Sequence, residues 1–228
     1  MKTVIITGAS GNLGKVVTQL FLDKEYRVIA VVSSENQAAF LQHPQLTIAV
    51  VDLTDETAAD TFVSSAINKY GEIHAALLLV GGFEAGNIAE TSGAAISRQV
   101  SLNFNTAYFT ARPLLRHMQS NKKGKLIFIG ARPSLDATYG KDLIAYSLSK
   151  SLLFTLAEQV NADAKGTSVT ATVIAPSTLD TPLNRKSMPD TDPANWVKLE
   201  DLASIIEFVV AEKASALRET VLKVYNNG

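Results

Sequence analysis

A short apolar run, Val4-Ile5-Ile6, gives way to Thr7-Gly8-Ala9-Ser10-Gly11-Asn12-Leu13-Gly14 and then to a segment of helical period. No other feature restricts the fold as much. Glycines spaced three and three between a strand and a helix permit a tight turn, let the backbone approach a ligand, and allow close helix packing. The helix N-terminus beyond them presents unpaired N–H groups and partial positive charge, so the turn is suited to a pyrophosphate. The spacing differs from the general G-x-G-x-x-G dinucleotide fingerprint, so the match lies in the physical logic. The competing reading, an ordinary strand-to-helix turn, accounts less well for the strand context at the start of the chain.

Short β-branched runs alternate with segments of helical period along the rest of the sequence. Strands are predicted at residues 4–7, 28–32, 46–50, 75–80, 126–129, 169–174 and 221–224, and helices at 13–24, 35–41, 56–70, 96–118, 144–164 and 199–211. This order predicts an α/β fold: a doubly wound, Rossmann-type parallel sheet of about seven strands with helices on both faces. It is read as a single NAD(P)-binding domain over residues 1–228. Residues 176–196, with Pro176, Pro182, Pro189 and Pro193, form the one long stretch without period. That stretch follows a predicted strand C-terminus, where ligands bind in such sheets, and is read as a substrate lid.

Composition removes several classes of function. A formal net charge of −1 gives no electrostatic draw to nucleic acid or to an anionic membrane. The absence of cysteine excludes disulfides, thiolate metal sites and cysteine nucleophiles. His43, His74 and His117 lack the spacing of metal ligands, so no metal is expected. The apolar run at the N-terminus is too short for a signal peptide, and no stretch approaches the roughly 18 apolar residues of a membrane helix. A cytoplasmic protein acting on a small molecule is expected. Lys122-Lys123-Gly124-Lys125 reads as a solvated turn, and Glu200-Asp201 as acids favoured at a helix start.

Tyr146 and Lys150 lie four residues apart and therefore share one helix face. A lysine beside a tyrosine favours phenolate and lowers the phenol towards working pH, which makes it a usable general acid or base. Tyr139 has only Leu143 four residues on and is assigned to the wall of the site or to the surface. At the end of the second strand a cofactor without a 2′-phosphate normally meets an acidic residue. Here Val32 is followed by Ser33 and Ser34, whose hydroxyls could bond to a 2′-phosphate, although no arginine or lysine follows to neutralise it. The cofactor is NADP or NAD, with this position leaning to NADP.

The glycine turn and Tyr146-Ser147-Leu148-Ser149-Lys150 together resemble the short-chain dehydrogenase/reductase family, over nearly the whole chain. The resemblance implies hydride transfer from a nicotinamide cofactor, with Tyr146 as proton donor, Lys150 holding the ribose and tuning the phenol, and Asn103 supporting a water chain behind Lys150. Asp52-Leu53 corresponds to the family's adenine-binding aspartate, and Gly81-Gly82 falls where its Asn-Asn-Ala-Gly segment lies, with Leu79-Val80 replacing the asparagines. Pro176 and Thr181 join the cofactor contacts, Thr181 towards the nicotinamide carboxamide. Asn12 replaces the middle glycine of the family's turn, which should survive because asparagine tolerates left-handed backbone. Ala131 occupies the place of the family's catalytic serine, and Ser134 is the candidate substitute.

That alanine, the Gly81-Gly82-Phe83 turn and the proline-rich lid with Trp196 beyond it resemble the dihydropteridine-reductase branch of the family. The branch carries tryptophan where Phe83 stands and ends its second strand in an aspartate absent here. Reduction of a quinonoid dihydropterin is implied, with Phe83, Ala131, Ser134 and Trp196 facing the substrate. The alternatives are an NADP(H)-dependent carbonyl or alcohol oxidoreductase and a non-catalytic dinucleotide sensor; sensors generally lack the Tyr-Lys pair. Leu148, Leu152, Leu153, Leu156 and Val160 give helix 144–164 a wider apolar surface than one sheet face needs. Relatives pair through this helix, so a homodimer or homotetramer is expected.

Overall fold

The computed structural model describes residues 1–227. Chain order runs β1 (Thr3–Thr7), α1 (Asn12–Asp23), β2 (Arg27–Val32), β3 (Leu46–Val50), α2 (Glu56–Tyr70), β4 (Ala75–Leu78), α3 (Gly93–Val100) and α4 (Thr106–Ser120). It continues with β5 (Lys123–Ile129), α5 (Ala137–Gly140), α6 (Ile144–Asp163), β6 (Ser168–Pro176), α7 (Pro182–Ser187), α8 (Leu199–Val210) and β7 (Val221–Val224). The strands form one seven-stranded sheet in the order β3-β2-β1-β4-β5-β6-β7, with every pairing parallel. Among the described residues no helix is long and apolar enough to cross a membrane.

Successive strand residues point to opposite faces, and each face has its own core. Ile5, Ile29 and Val31 pack with Val63 of α2, Leu114 and Met118 of α4, and Leu153 and Ala157 of α6. Val4, Ile6, Val28 and Ala30 pack with Val17 and Phe21 of α1 and with Leu202 and Ile206 of α8. The central strands are apolar on both sides because both sides are covered. Strand order reverses between β1 and β4, and ligands of such sheets bind outside the strand ends at that point. Thr7 Oγ1, closing β1, accepts from Leu79 N–H at 3.0 Å and ties together the two loops that leave the crevice.

All seven predicted strands are present. β4 ends at Leu78, two residues short, because Leu79-Val80 turns away into the crevice loop. The predicted solvated turn at 122–125 is a turn only at Lys122, with φ 54°; β5 begins at Lys123, which pairs with Ser168. Helix 35–41 is not formed beyond one 3₁₀ turn, Glu35–Gln37. Pro44 disfavours helical backbone at His43, and Phe40 and Leu41 find apolar cover against the core without a helix. The predicted helix 96–118 starts at Gly93, ends at Ser120, and is interrupted by a π-helical turn, Ser101–Asn105.

Candidate active site

The glycine turn opens into a cavity of about 270 Å³ lined by Gly8, Ser10, Gly11, Ser33, Gln37, Asp52, Leu53, Leu79, Val80 and Gly81, among others. Gly8 takes φ +63°, and a Cβ there would lie 3.1 Å from Val80 N. A Cβ on Gly14 would lie 2.1 Å from Gly8 O, so the helix can seat against the turn only with glycine at that position. The backbone at Asn12 and Leu13 is the first turn of α1. Asn12 is therefore ordinary helix, and the expected left-handed asparagine is not found; Gly8 carries the left-handed backbone instead. Gly11, the N-cap, provides no side-chain acceptor, which leaves the first N–H groups of α1 open to an anion. Asp52 Oδ1 accepts from Thr54 N–H at 2.9 Å and from Thr54 Oγ1 at 2.6 Å. Those bonds hold its carboxyl below the usual range.

On the other side of the crevice the side chains form a buried polar junction. Lys150 is 5% exposed and donates to Ile129 O at 2.8 Å, at the end of β5. Asn103, fully buried inside the π turn, accepts from Gly82 N–H at 2.9 Å. Its amide nitrogen faces Gly82 O at 3.1 Å, Gln99 Oε1 at 2.8 Å and Ser149 Oγ at 2.9 Å. Ser149 Oγ in turn donates to Tyr146 O at 2.8 Å. A Cβ on Gly81 would fall 2.8 Å from Asn103 Oδ1 and 2.9 Å from Lys150 Nζ, so a side chain there would displace one or both groups. The junction thus locks the crevice loop, the π turn and the Tyr146–Lys150 helix together. Asn103 therefore lies inside the protein and not on a solvated helix face.

Tyr146 lies in the first turn of α6, and the ring of Phe83 meets it edge-on at 5.2 Å and 63°. Phe83 itself is 65% exposed. Burial pushes the Tyr146 phenol up to about 12 and the Lys150 ammonium down to about 8. The lowering of the phenol expected from the lysine is therefore not seen. Desolvation outweighs charge here, and the ammonium is committed to the Ile129 carbonyl.

Ala131 is buried at the end of β5, and Ser134 follows in a 3₁₀ turn with a buried hydroxyl that has no partner. Pro176 closes β6, and Thr181 caps α7 by accepting from Asn184 N–H at 3.1 Å. Ser34 precedes the Glu35–Gln37 turn and does not line the cavity, unlike Ser33. Trp196 is 4% exposed, and its carbonyl accepts from Asn226 Nδ2 at 2.9 Å. It offers no free face, contrary to expectation. Tyr139 is a surface residue stacked on Arg132, at 3.7 Å from guanidinium to ring centroid. Gln37, Gln99 and Ser149 escaped the sequence reading. Each is an isolated polar residue whose partner is far along the chain or a full helical turn away, and no local motif marks it.

A doubly wound sheet with an uncapped glycine turn at its switch point, and a tyrosine–lysine pair beside it, defines a dinucleotide-dependent oxidoreductase. The model of the short chain dehydrogenase family matches residues 2–192, and the chain belongs to that family as an NAD(P)-dependent enzyme. An uncharacterized oxidoreductase of Bacillus subtilis, YmfI, is 24% identical over 98% of this chain and 97% of its own length. The dihydropteridine reductase of Dictyostelium discoideum is 25% identical over 89% of this chain and 84% of its own. Among solved structures, ElxO with NADP bound superposes with a TM-score of 0.90 at 20% identity, covering 98% of this chain and 96% of that one.

Proposed function

We propose that this enzyme reduces a quinonoid dihydropterin with NADPH or NADH. The observation that carries the reading is the exposed Phe83 ring set edge-on against Tyr146, together with buried Ala131 in the place of the family's serine. A flat heterocycle can stack on such a ring, in contacts worth about 0.5–1.5 kcal/mol beyond area burial. The similarity to a dihydropteridine reductase supports the same class.

Gly8, Gly11, Gly14 and the N–H groups of Asn12 and Leu13 would hold the pyrophosphate, Asp52 and Leu53 the adenine, and Lys150 and Thr181 the nicotinamide half, beside Gly81, Gly82 and Pro176. When bound, the nicotinamide supplies a hydride. Tyr146, kept protonated across neutral pH by burial, gives its proton to the reduced substrate, so that the conjugated C=N system gains one hydride and one proton. Asn103 holds Gly82 and the α6 turn in register with that hydroxyl. Residues 176–196 would close over the ring and exclude water.

The assay generates the quinonoid dihydropterin in situ and follows loss of reduced-cofactor absorbance. Turnover well above that on simple aldehydes and ketones is expected. No enzyme-dependent rate there, with good rates on carbonyl compounds, overturns the pterin assignment. The unpartnered hydroxyl of Ser134 favours that second reading, in which it orients a carbonyl oxygen and Ser134→Ala abolishes the rate.

A further inference from the structure

Arg132 stands one residue past Ala131, and two aromatic rings pack against its guanidinium. The ring of Tyr139 lies 3.7 Å away and that of Tyr225 4.8 Å away, measured to the centroids. One terminal nitrogen donates to Tyr139 Oη. Among the described residues no carboxylate forms an ion pair with this group. Asp136, the nearest acid along the chain, accepts from Thr138 N–H at 2.9 Å. Its carboxyl is held below the usual range first by hydrogen bonds from Thr138, with Arg132 and Lys223 contributing less. A half-buried guanidinium without an acid partner still has in-plane N–H donors to satisfy.

The clamp lies at the strand ends that border the crevice. Arg132 follows β5 and Tyr225 follows β7, so their contact reaches across the end of β6, the strand between them. β6 closes at Pro176, where the lid begins. The segment Tyr225-Asn226 fastens both ends of that lid. Ser177 Oγ donates to Tyr225 O at 2.7 Å, and Asn226 Nδ2 donates to Ala194 O at 3.2 Å and to Trp196 O at 2.9 Å. The guanidinium is therefore held next to Ala131 and at the roots of the lid. Two rings fix its plane, which leaves the fork of donors pre-oriented.

We infer that Arg132 binds a carboxylate on the substrate, so that the hydride acceptor carries a carboxylate tail. A guanidinium meets a carboxylate through two parallel N–H···O bonds. Arg132 and Lys223 set against Asp136 leave one positive charge, which balances a single carboxylate and not a dianionic phosphate. This deepens the proposed function: the reacting ring sits at Phe83 and Tyr146 while the tail reaches Arg132, and the inference rests on that seat.

The test is equilibrium binding to the enzyme loaded with oxidised nicotinamide cofactor, which has no hydride to give. Two ligand pairs are titrated by calorimetry: folic acid with its diamide, and 4-carboxybenzaldehyde with its carboxamide. Within each pair only the carboxylates are neutralised. The carboxylate member should bind about tenfold more tightly or better, and Arg132→Met should bring the two within about twofold by weakening that member. Arg132→Lys keeps the charge but loses the planar fork, and should retain part of the preference. Where the Met variant does not fold, the Lys variant decides, through a preference reduced by about threefold or more. Equal affinity within both pairs, or a preference that the variants leave intact, overturns the inference. So does a loss in Arg132→Met that falls equally on both members, the mark of a purely structural clamp. Preference in the aldehyde pair without binding of the pterin pair keeps the carboxylate site and sinks the pterin reading. Failure of all four ligands to bind overturns the site and the reading together.

Discussion

The donor role proposed for Tyr146 rests on a single hydroxyl. Burial holds the phenol near 12, so it stays protonated at working pH and can serve as an acid without the lysine having first lowered it. Tyr146→Phe removes only that oxygen and keeps the ring against Phe83. Turnover should fall by about 10²–10⁴, the range for losing a general acid, while cofactor Kd stays near wild type. Stopped-flow single turnovers with a separate binding titration distinguish the two quantities. A Phe variant with undiminished turnover would falsify the donor role. At this scale the pair itself was legible, because four-residue spacing on a helix is local geometry. The direction of its titration was not, because desolvation depends on everything packed around it.

The π turn Ser101–Asn105 is the element on which the site depends. Its one-residue widening brings Asn103 inward to Gly82 and Ser149, contacts 21 and 46 residues away along the chain. Such turns concentrate at functional sites in helices. Asn103→Ala leaves the half-buried Gly82 N–H without its partner and takes a donor from the buried Gln99 and Ser149. A loss of about 1–3 kcal/mol per unsatisfied group is expected, measured by urea unfolding, together with a lower kcat. Helix α6 presents a second test. Leu148 is 50% exposed and Leu152 39%, although Leu153, Ala157 and Val160 are buried against the sheet. We propose that this outer stripe pairs two copies of the chain. Light scattering should show a dimer or tetramer that Leu148→Glu with Leu152→Glu converts to monomer; a wild-type monomer at micromolar concentration removes the proposal.

For the whole molecule, the buried lysine links stability to pH. Lys150 falls from 10.5 to about 8 in the fold, so between those values the unfolded chain binds more protons and stability rises with pH. The gain is up to about 3 kcal/mol, at about 1.4 kcal/mol per pH unit. Tyr146 has the opposite sign: raised from 10 to about 12, it makes stability fall across that higher window. Below pH 10 Lys125, lowered by burial, and Tyr70, also lowered in the fold, act in the same direction as Lys150. Urea midpoints should therefore climb more steeply between pH 8 and 10 in the wild type than in Lys150→Met. Equal slopes in the two proteins would show that the ammonium is not the group desolvated.

The sequence by itself determined the seven strands, most of the helices, the glycine turn and the Tyr146–Lys150 pair. Side-chain period and glycine sterics act within a few residues and leave their record in the local order. Tertiary structure decided the rest. It ended the helix expected at 35–41 after one turn and placed Gln37 over Ser10, 27 residues away. It buried Trp196, and it buried Asn103 in a π turn that no period reveals. These outcomes rest on which polar groups must find partners once water is excluded, and that is settled only when distant segments of the chain meet.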